Sequence, residues 1–303
     1  MRLLKIAAAM LMLAVPITAG AEVPELPAGV KKARSIDELA AMFDVSSCKE
    51  CHAKIHEEWS QSAHAKAMTG SPRVIGGSRG YFKRLTKHQA SGLRSPKDTK
   101  VEHWWPCADC HLPQLQYATD EVAVEITEAY LAGDQATLNK VGINCLVCHN
   151  LRYTVDRWED GPPEPGVIYG TKEGAHPDKK YTKMKKSPMI KESVMCGRCH
   201  GTGPTFQDPA PTQCATLYGS YLHAYIPAGG NKTCQECHMQ DTGHRWPGFV
   251  TQGETVTTAP NRAFKVDVTA LAYQFLERPG NHIPKTKLTI AMTNIAGHRI
   301  PDA

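Results

Sequence analysis

The chain contains five copies of the pattern C-x-x-C-H. Of all its residues, those in this pattern have the types and spacing best suited to chemistry. Two thiols separated by two residues can each form a thioether to a vinyl group of one porphyrin, and the adjoining histidine then binds the iron as its proximal ligand. The pattern therefore predicts five covalently attached c-type haems. The predicted attachment cysteines are Cys48, Cys51, Cys107, Cys110, Cys145, Cys148, Cys196, Cys199, Cys234 and Cys237, and the predicted proximal ligands are His52, His111, His149, His200 and His238.

Zinc knuckles and disulfides are the alternative uses of paired cysteines. A tetrahedral Cys/His zinc site also uses C-x-x-C pairs, but it does not need a histidine directly after every second cysteine. The repetition of the complete five-residue pattern therefore favours haem.

The composition fits a protein whose interior contains large cofactors. In 303 residues, 41% are hydrophobic and only 7% are aromatic, which is a lean supply for one large domain or two small ones. Porphyrins are large apolar plates that would complete the interior, so we expect the chain not to fold without its haems.

The charge pattern gives no support for binding of nucleic acid. The formal net charge is +5, and the basic residues form no patterned patch. The one basic run, residues 179–186, is interpreted as a solvated loop, with a docking patch for an acidic redox partner as the alternative.

The first residues indicate export. Arg2 and Lys5 form a positive n-region, residues 6–15 form an apolar h-region, and residues 19–21 form an A-x-A cleavage site. The apolar stretch is too short to span a membrane. We therefore expect residues 1–21 to be a cleaved signal peptide, and the mature protein to be periplasmic or extracellular and not membrane-spanning.

Short helices and loops must position the motifs. Gly133 and Asp134 predict a break within the longest helical stretch. Ser35 or Asp37 would cap the first helix, and His56 and His64 would lie near one face of the second. The predicted helices cover residues 35–43, 55–68, 120–141 and 213–225, and the stretches 70–100 and 150–186 are predicted to be irregular.

Near the C-terminus the pattern changes to alternating apolar and polar residues, at 264–269 and 287–293, as in half-buried strands. Two strands cannot form a stable sheet alone, so a second subunit is one way in which this β domain could be completed. The predicted fold is mainly α, with extensive loops wrapped around five haems and short C-terminal strands. The predicted domains are a pentahaem domain at 22–250 and the start of a β-rich domain at 251–303.

Residues 47–249 resemble the cytochrome c-554 / hydroxylamine-oxidoreductase-like multihaem cytochromes. The matching stretches are residues 48–52 followed by WSQSAHA at 59–65, GINCLVCHN at 142–150, CGRCHG at 196–201 and CQECHM at 234–239. The segment NIAGHRIPD at 294–302 is similar to one found where such cytochromes carry an appended β domain. Within the family, the chain is most similar to the selenite- and tellurite-reduction-associated cytochromes, some of which contain selenocysteine.

Each iron needs a sixth ligand or an open position for substrate. The nine histidines outside the motifs exceed the five irons, so two histidines per haem are affordable, and such ligation gives low potentials. The resemblance implies His64 as a distal ligand, and His244 and His298, which each follow a glycine, come next. The further candidates are His103, His176 and His223, whereas His56, His88 and His282 are interpreted as surface or packing residues.

Two functions stay open. The first is an electron-transfer module whose partners are cytochromes or quinol-linked membrane components. The second is a haem-based reductase of selenite, nitrite or hydroxylamine with one open-coordinate haem. Arg152, Tyr153 and Arg157, or residues 218–225, could line such a site, although hydrogen bonding to haem propionates is the favoured role. No catalytic residue is assigned.

Cys214 is the one cysteine outside the motifs. It could be an inert buried thiol, it could pair with a cysteine or selenocysteine of a completing chain, or it could act at an open haem.

Overall fold

The computed structural model describes residues 23–26, 28–70, 72–87, 92–151, 163–201, 216–240, 243–246 and 263–300. Helices predominate, which confirms the prediction of a mainly α protein. The helices are α1 (Ile36–Met42), α2 (Cys48–Cys51), α3 (Ala53–Ser60), α4 (Pro72–Lys87), α5 (Val101–His111), α6 (Asp120–Ala132), α7 (Gln135–Leu138), α8 (Cys145–His149), α9 (Ser193–His200), α10 (Leu217–Ser220) and α11 (Cys234–His238). Short 3₁₀ turns lie at Pro96–Asp98, Pro113–Tyr117, Pro188–Lys191 and Gly243–Arg245, and a single π-type turn lies at Tyr221–Tyr225.

Local signals set the ends of α1, α6 and α7 as predicted. The Ser35 hydroxyl accepts a hydrogen bond from the backbone N–H of Glu38 and so caps α1. Gly133 ends α6 with φ of 77°, a left-handed conformation that favours glycine. Asp134 then caps α7 by accepting from the N–H of Thr137.

The largest hydrophobic core joins α1, α5, α6 and the turn Pro113–Tyr117. Leu39, Leu115 and Val122 at its centre are fully buried. The N–H of Ala33 donates to the carbonyl of Tyr117, and the N–H of Thr119 donates to the carbonyl of Ala33, so the chain before α1 is tied to this core. Every buried hydrophobic residue of the described chain lies between Ala33 and Met189, which leaves the region of α9 to α11 with little apolar interior of its own.

The prediction of a loop over residues 70–100 is wrong for its first half, where α4 forms. Glycine weakens a helix by about 1 kcal/mol relative to alanine, and α4 contains Gly76, Gly77 and Gly80. Packing against α6 stabilises it: Tyr81 and Phe82 are buried, and the Arg79 Nε donates to the carbonyl of Tyr130 at 2.6 Å. Tertiary contacts therefore override the local preference.

The predicted helix at 55–68 is also shorter than expected, because α3 ends at Ser60. Its continuation forms turns whose carbonyls are used by other segments. The N–H of Ile143 donates to the carbonyl of His64, and the Tyr130 hydroxyl donates to the carbonyl of Met68 at 2.7 Å. His56 and His64 therefore do not share a helical face.

The stretch 150–186, predicted to be irregular, contains a small mixed sheet of β1 (Val167–Gly170), β2 (Gly174–Ala175) and β3 (Lys183–Lys186) in the order β1-β3-β2. β1 pairs with β3 in parallel, and β2 pairs with β3 in the antiparallel sense. The sequence of this glycine-rich segment has no clear two-residue periodicity, so it gave no signal for these strands. The basic run 179–186 therefore ends in a strand.

The C-terminal strands form the predicted hairpin, but they are longer than the patterned segments. β4 (Phe264–Arg278) pairs with β5 (Asn281–Asn294) in the antiparallel sense, with Phe264 opposite Asn294. Apolar residues on one face, including Val266, Val268 and Ile290, are more than half exposed. The hairpin thus presents an uncovered apolar face.

Several predictions fall outside the described residues. These are the signal peptide at 1–21, His88, Arg152, Tyr153, Arg157, Cys214 and the first residues of the helix predicted at 213–225. The rest of that segment forms α10 and the π-type turn. Within the part of the chain that the structure describes, no helix combines the length and the apolar character needed to cross a membrane.

Leu115→Ala tests the position of the core. Because Leu115 is fully buried, its truncation is expected to lower the free energy of unfolding by about 2–5 kcal/mol. Leu131→Ala is the matched control: this leucine on α6 is 37% exposed, and its truncation should cost less than about 1 kcal/mol. Denaturant unfolding of the two variants measures both values, and equal losses would contradict the described core.

Candidate functional site

Each C-x-x-C-H motif lies on a short helix or at the end of a longer one. Helices α2, α8 and α11 begin at the first cysteine of a motif, and α5 and α9 end at the histidine of a motif. Residues at i, i+3 and i+4 share one side of a helix. The two thiols and the imidazole of each motif are therefore presented towards the same side, as attachment to one porphyrin requires.

Side-chain caps fix the start of two of these helices. The Asn144 amide oxygen accepts from the N–H of Leu146 at the start of α8. At the start of α11, the Thr233 hydroxyl accepts from the N–H of Glu236, and the Glu236 carboxylate accepts from the N–H of Thr233. The motif histidines follow at the fifth residue of each helix.

Four motif histidines each lie opposite a histidine from elsewhere in the chain. In each pair one ring comes from a motif and the other from a distant segment. The ring centroids are 6.3 Å apart for His52 and His176, 6.4 Å for His149 and His244, 6.1 Å for His200 and His64, and 6.1 Å for His238 and His298.

This spacing fits two imidazoles bound to opposite sides of one metal ion. A metal–imidazole bond of about 2.0–2.1 Å on each side places the two ring centroids roughly 6 Å apart. A tetrahedral zinc site would instead bring three or four ligands together, and the described residues contain no such group. The ten motif cysteines form no disulfide. The residues present therefore fit a porphyrin iron better than either alternative.

The hydrogen bonds of several of these histidines involve Nδ1 and leave Nε2 available to bind a metal ion. The Nδ1 atom lies 2.7 Å from the Tyr169 carbonyl oxygen in His149, 2.8 Å from that of Tyr181 in His176 and 2.9 Å from that of Arg299 in His298. A carbonyl can only accept, so Nδ1 carries the proton and Nε2 is left as a ligand. In His176 the N–H of Asp178 also lies 3.4 Å from Nδ1, and the shorter contact with the Tyr181 carbonyl favours the same tautomer. His111 is oriented in the same way, by the Ala67 carbonyl at 2.8 Å.

Desolvation by the surrounding protein favours the neutral form of several of these imidazoles, which is the form that binds a metal ion. It lowers the pKa of His64 to about 4, with smaller contributions from the nearby His200 and His111. Burial is also the main cause that lowers the pKa values of His149, His200 and His244.

Thiols of different motifs are in contact, so the motifs are neighbours in space. The Cys48 thiol is hydrogen-bonded to that of Cys145, and this bond lowers the pKa of Cys48 to about 7. In the same way, the bond from Cys196 lowers the pKa of Cys234 to about 6. These contacts join the first motif to the third and the fourth to the fifth.

The second and fourth motifs are joined by an ion pair as well as by a hydrogen bond between two thiols. The Cys110 and Cys199 thiols are hydrogen-bonded, which raises the pKa of Cys199. Asp109 and Arg198, which lie between the cysteines of their motifs, form an ion pair at 3.0 Å. This pair was not predicted, although opposite charges at matching motif positions were a visible signal.

The distal histidines lie on irregular segments that the fold brings back to the motifs. His176 follows β2, and its N–H donates to the carbonyl of Thr182 at 2.8 Å. The N–H of His244 donates to the Glu58 carboxylate at 3.0 Å, which ties the turn Gly243–Arg245 to α3. His298 follows β5, and the next N–H, of Arg299, donates to the Ser220 hydroxyl at 3.1 Å.

The remaining predicted histidines have other surroundings. The His103 Nδ1 accepts from the N–H of Lys100 at 2.9 Å, and His223 is exposed on the π-type turn. The His56 ring contacts Trp59 edge-on at 5.2 Å, and His282 is exposed at the start of β5. Among the described residues, the ring contacts give His111 no opposing histidine.

Comparison with known proteins adds one finding. The model of the family described as "Cytochrome c554 and c-prime" matches residues 47–150, which include the first three motifs. No curated protein and no solved structure matches the chain. The family match supports a c-type cytochrome with covalently bound haem c, redox partners and a role in electron transfer.

His298→Ala tests the pairing at the fifth motif. Loss of this ring is expected to convert one haem of the purified holoprotein from low-spin to high-spin and to create one additional site for carbon monoxide, because the iron loses its sixth ligand. The optical spectrum and a carbon monoxide titration measure both changes. His282→Ala, an exposed histidine of the same hairpin segment, is the control and should leave both unchanged. A fully low-spin His298→Ala protein would contradict the pairing.

Proposed function

We propose that the protein is a pentahaem c-type cytochrome that passes electrons along a series of closely packed, mostly bis-histidine haems in the bacterial cell envelope. The observation that carries this proposal is the set of four histidine pairs, each of which combines a motif histidine with a second ring at 6.1–6.4 Å. In this proposal His52/His176, His149/His244, His200/His64 and His238/His298 are the axial pairs. His103 and His223 stay predicted ligands that this set of four pairs does not use.

Contacts between motifs support an electron path. Thiol contacts connect the first motif with the third, the second with the fourth, and the fourth with the fifth. Trp246 contacts both His64 and His244, which are the proposed distal ligands of the fourth and third sites. Together these contacts make one connected group of sites, and the role of the chain is then to set potentials through ligation, burial and hydrogen bonding.

The cell-envelope location rests on the sequence. A signal peptide at 1–21 would deliver the chain to the periplasm or beyond, where redox proteins such as cytochromes or quinol-linked membrane components would be its partners. The pentahaem domain would occupy residues 22–250. The exposed apolar face of the β4–β5 hairpin is compatible with a β domain at 251–303 that a second subunit completes. Membership of the selenite- and tellurite-associated subgroup rests on the sequence resemblance alone.

A haem-based reductase is the second candidate function, and one observation favours it. His111 is oriented by a backbone carbonyl like the other ligands, but among the described residues no histidine faces it. An open position at this site would let an oxyanion or nitrogen compound such as selenite, nitrite or hydroxylamine bind iron. Tyr218, Tyr221 and Tyr225 stack in series, but Tyr218 lies against Gly197 of the fourth motif and not at the second.

Mass spectrometry and metal analysis of the purified holoprotein test the proposal. The expected result is five covalently attached haems and five irons per chain, because each complete motif attaches one porphyrin. A protein without a Soret band, or one that contains zinc in place of iron, would refute it.

Carbon monoxide binding to the reduced wild-type protein separates the two functions. An electron carrier with six-coordinate irons binds none, whereas a reductase with an open haem at His111 binds one equivalent and has a matching high-spin fraction in the ferric state. A His111→Met variant that shifts the Soret band of the carbon monoxide adduct would place the open site at the second motif, because the histidine bound to that iron has been replaced.

A further inference from the structure

Trp246 occupies a position between two of the histidine pairs. Its indole contacts the His64 ring with centroids 4.7 Å apart and an interplanar angle of 89°, and the His244 ring at 5.0 Å and 70°. Both contacts are edge-to-face, the arrangement that aromatic rings prefer. One side chain therefore contacts the proposed distal ligands of two different sites.

The backbone at Trp246 is held in an unusual conformation. Among the described residues it is the one non-glycine residue with positive φ, at 42°. Bulky residues rarely adopt this region, and such conformations persist where the surrounding structure enforces them. The preceding turn is anchored at two points, by the bond from the Gly243 N–H to the Met239 carbonyl and by that from the His244 N–H to the Glu58 carboxylate. With the backbone in this conformation, the indole contacts both histidine rings.

The two pairs that Trp246 contacts differ in ring orientation. The His64 and His200 planes are crossed at 77°, whereas His149 and His244 are inclined by 29°. The pairs that do not contact Trp246, His52/His176 and His238/His298, are near parallel at 17° and 14°. The crossed pair is thus the exception, and its distal ring has the shortest contact with the indole.

We infer that Trp246 is a positioning residue that holds the His64 ring crosswise to His200 and at the same time fixes the ring of His244. This inference rests on the proposed haem ligation. Two near-parallel axial rings interact with the same iron dπ orbital and so separate its energy from that of the second dπ orbital. The ferric iron then gives a rhombic low-spin signal in electron paramagnetic resonance. Crossed rings act on both orbitals alike, so the ferric iron gives a highly anisotropic low-spin signal. Trp246 would therefore set the electronic structure, and with it the reduction potential, of the fourth site and tune that of the third.

Electron paramagnetic resonance of the ferric holoprotein tests this inference with two variants. Trp246→Leu keeps an apolar side chain but removes the flat ring, and the highly anisotropic signal should be lost in favour of a rhombic one. Trp246→Phe keeps a smaller ring and should displace the signal in the same direction by a lesser amount. A potentiometric titration should show shifted potentials for the third and fourth sites. The signals from the first and fifth sites are internal controls and should not move.

The outcomes separate this inference from the proposed function. A wild-type protein without haem refutes the function, and a haem-loaded wild type without the anisotropic signal refutes the crossed geometry while the function stands. An unchanged signal in Trp246→Leu refutes the positioning role, as does a change that affects all sites equally. If the leucine variant fails to fold, an undisplaced signal in Trp246→Phe refutes it.

Discussion

The separation of two imidazole rings by the width of one metal ion is the constraint on which the rest of this structure depends. Four such pairs have centroids 6.1–6.4 Å apart. His52, His200 and His238 are exposed and their partners are only partly buried, so the apolar packing of the core does not set the separation of these rings. The helices that carry the motifs are short because they only need to present three side chains on one side. The distal rings come from turns and strand ends, where the backbone can be tied to carbonyls and carboxylates of other segments.

The distribution of apolar residues follows from the same constraint. Around α1, α5 and α6 the chain builds a conventional core with Leu39 and Leu115 at its centre. In the part around α9 and α11 the described apolar residues are at most partly buried, so porphyrins would have to supply the interior there. The ion pair of Asp109 and Arg198 then links the two parts at their motifs, where Asp109 is buried and the two opposite charges compensate each other.

Local features of the fold were predictable, and features set by distant contacts were not. Ser35, Gly133 and Asp134 mark helix ends through their own side chains or backbone, so the sequence was sufficient to find them. α4 was missed because packing against α6 stabilises a segment with three glycines, and α3 was predicted too long because Ile143 and Tyr130 take the carbonyls that a helix would use. The motifs identified one histidine of each pair from the sequence. Spacing along the chain contains no information on which distant histidine ring faces the motif histidine. Trp246 had no sequence signal, since its role depends on two segments that meet in space.

The histidine pairs have a topological consequence. Coordination of each histidine pair to one metal ion would close a loop of chain. The four loops would end at residues 52 and 176, 64 and 200, 149 and 244, and 238 and 298. Each loop overlaps the next in sequence, so the coordination bonds would together constrain the polypeptide from residue 52 to residue 298. Each link restricts the conformations of the unfolded chain, as a disulfide does. Rupture of one coordination bond would release one loop and leave its neighbours closed, so these bonds would provide cross-links in a chain without disulfides among its described cysteines.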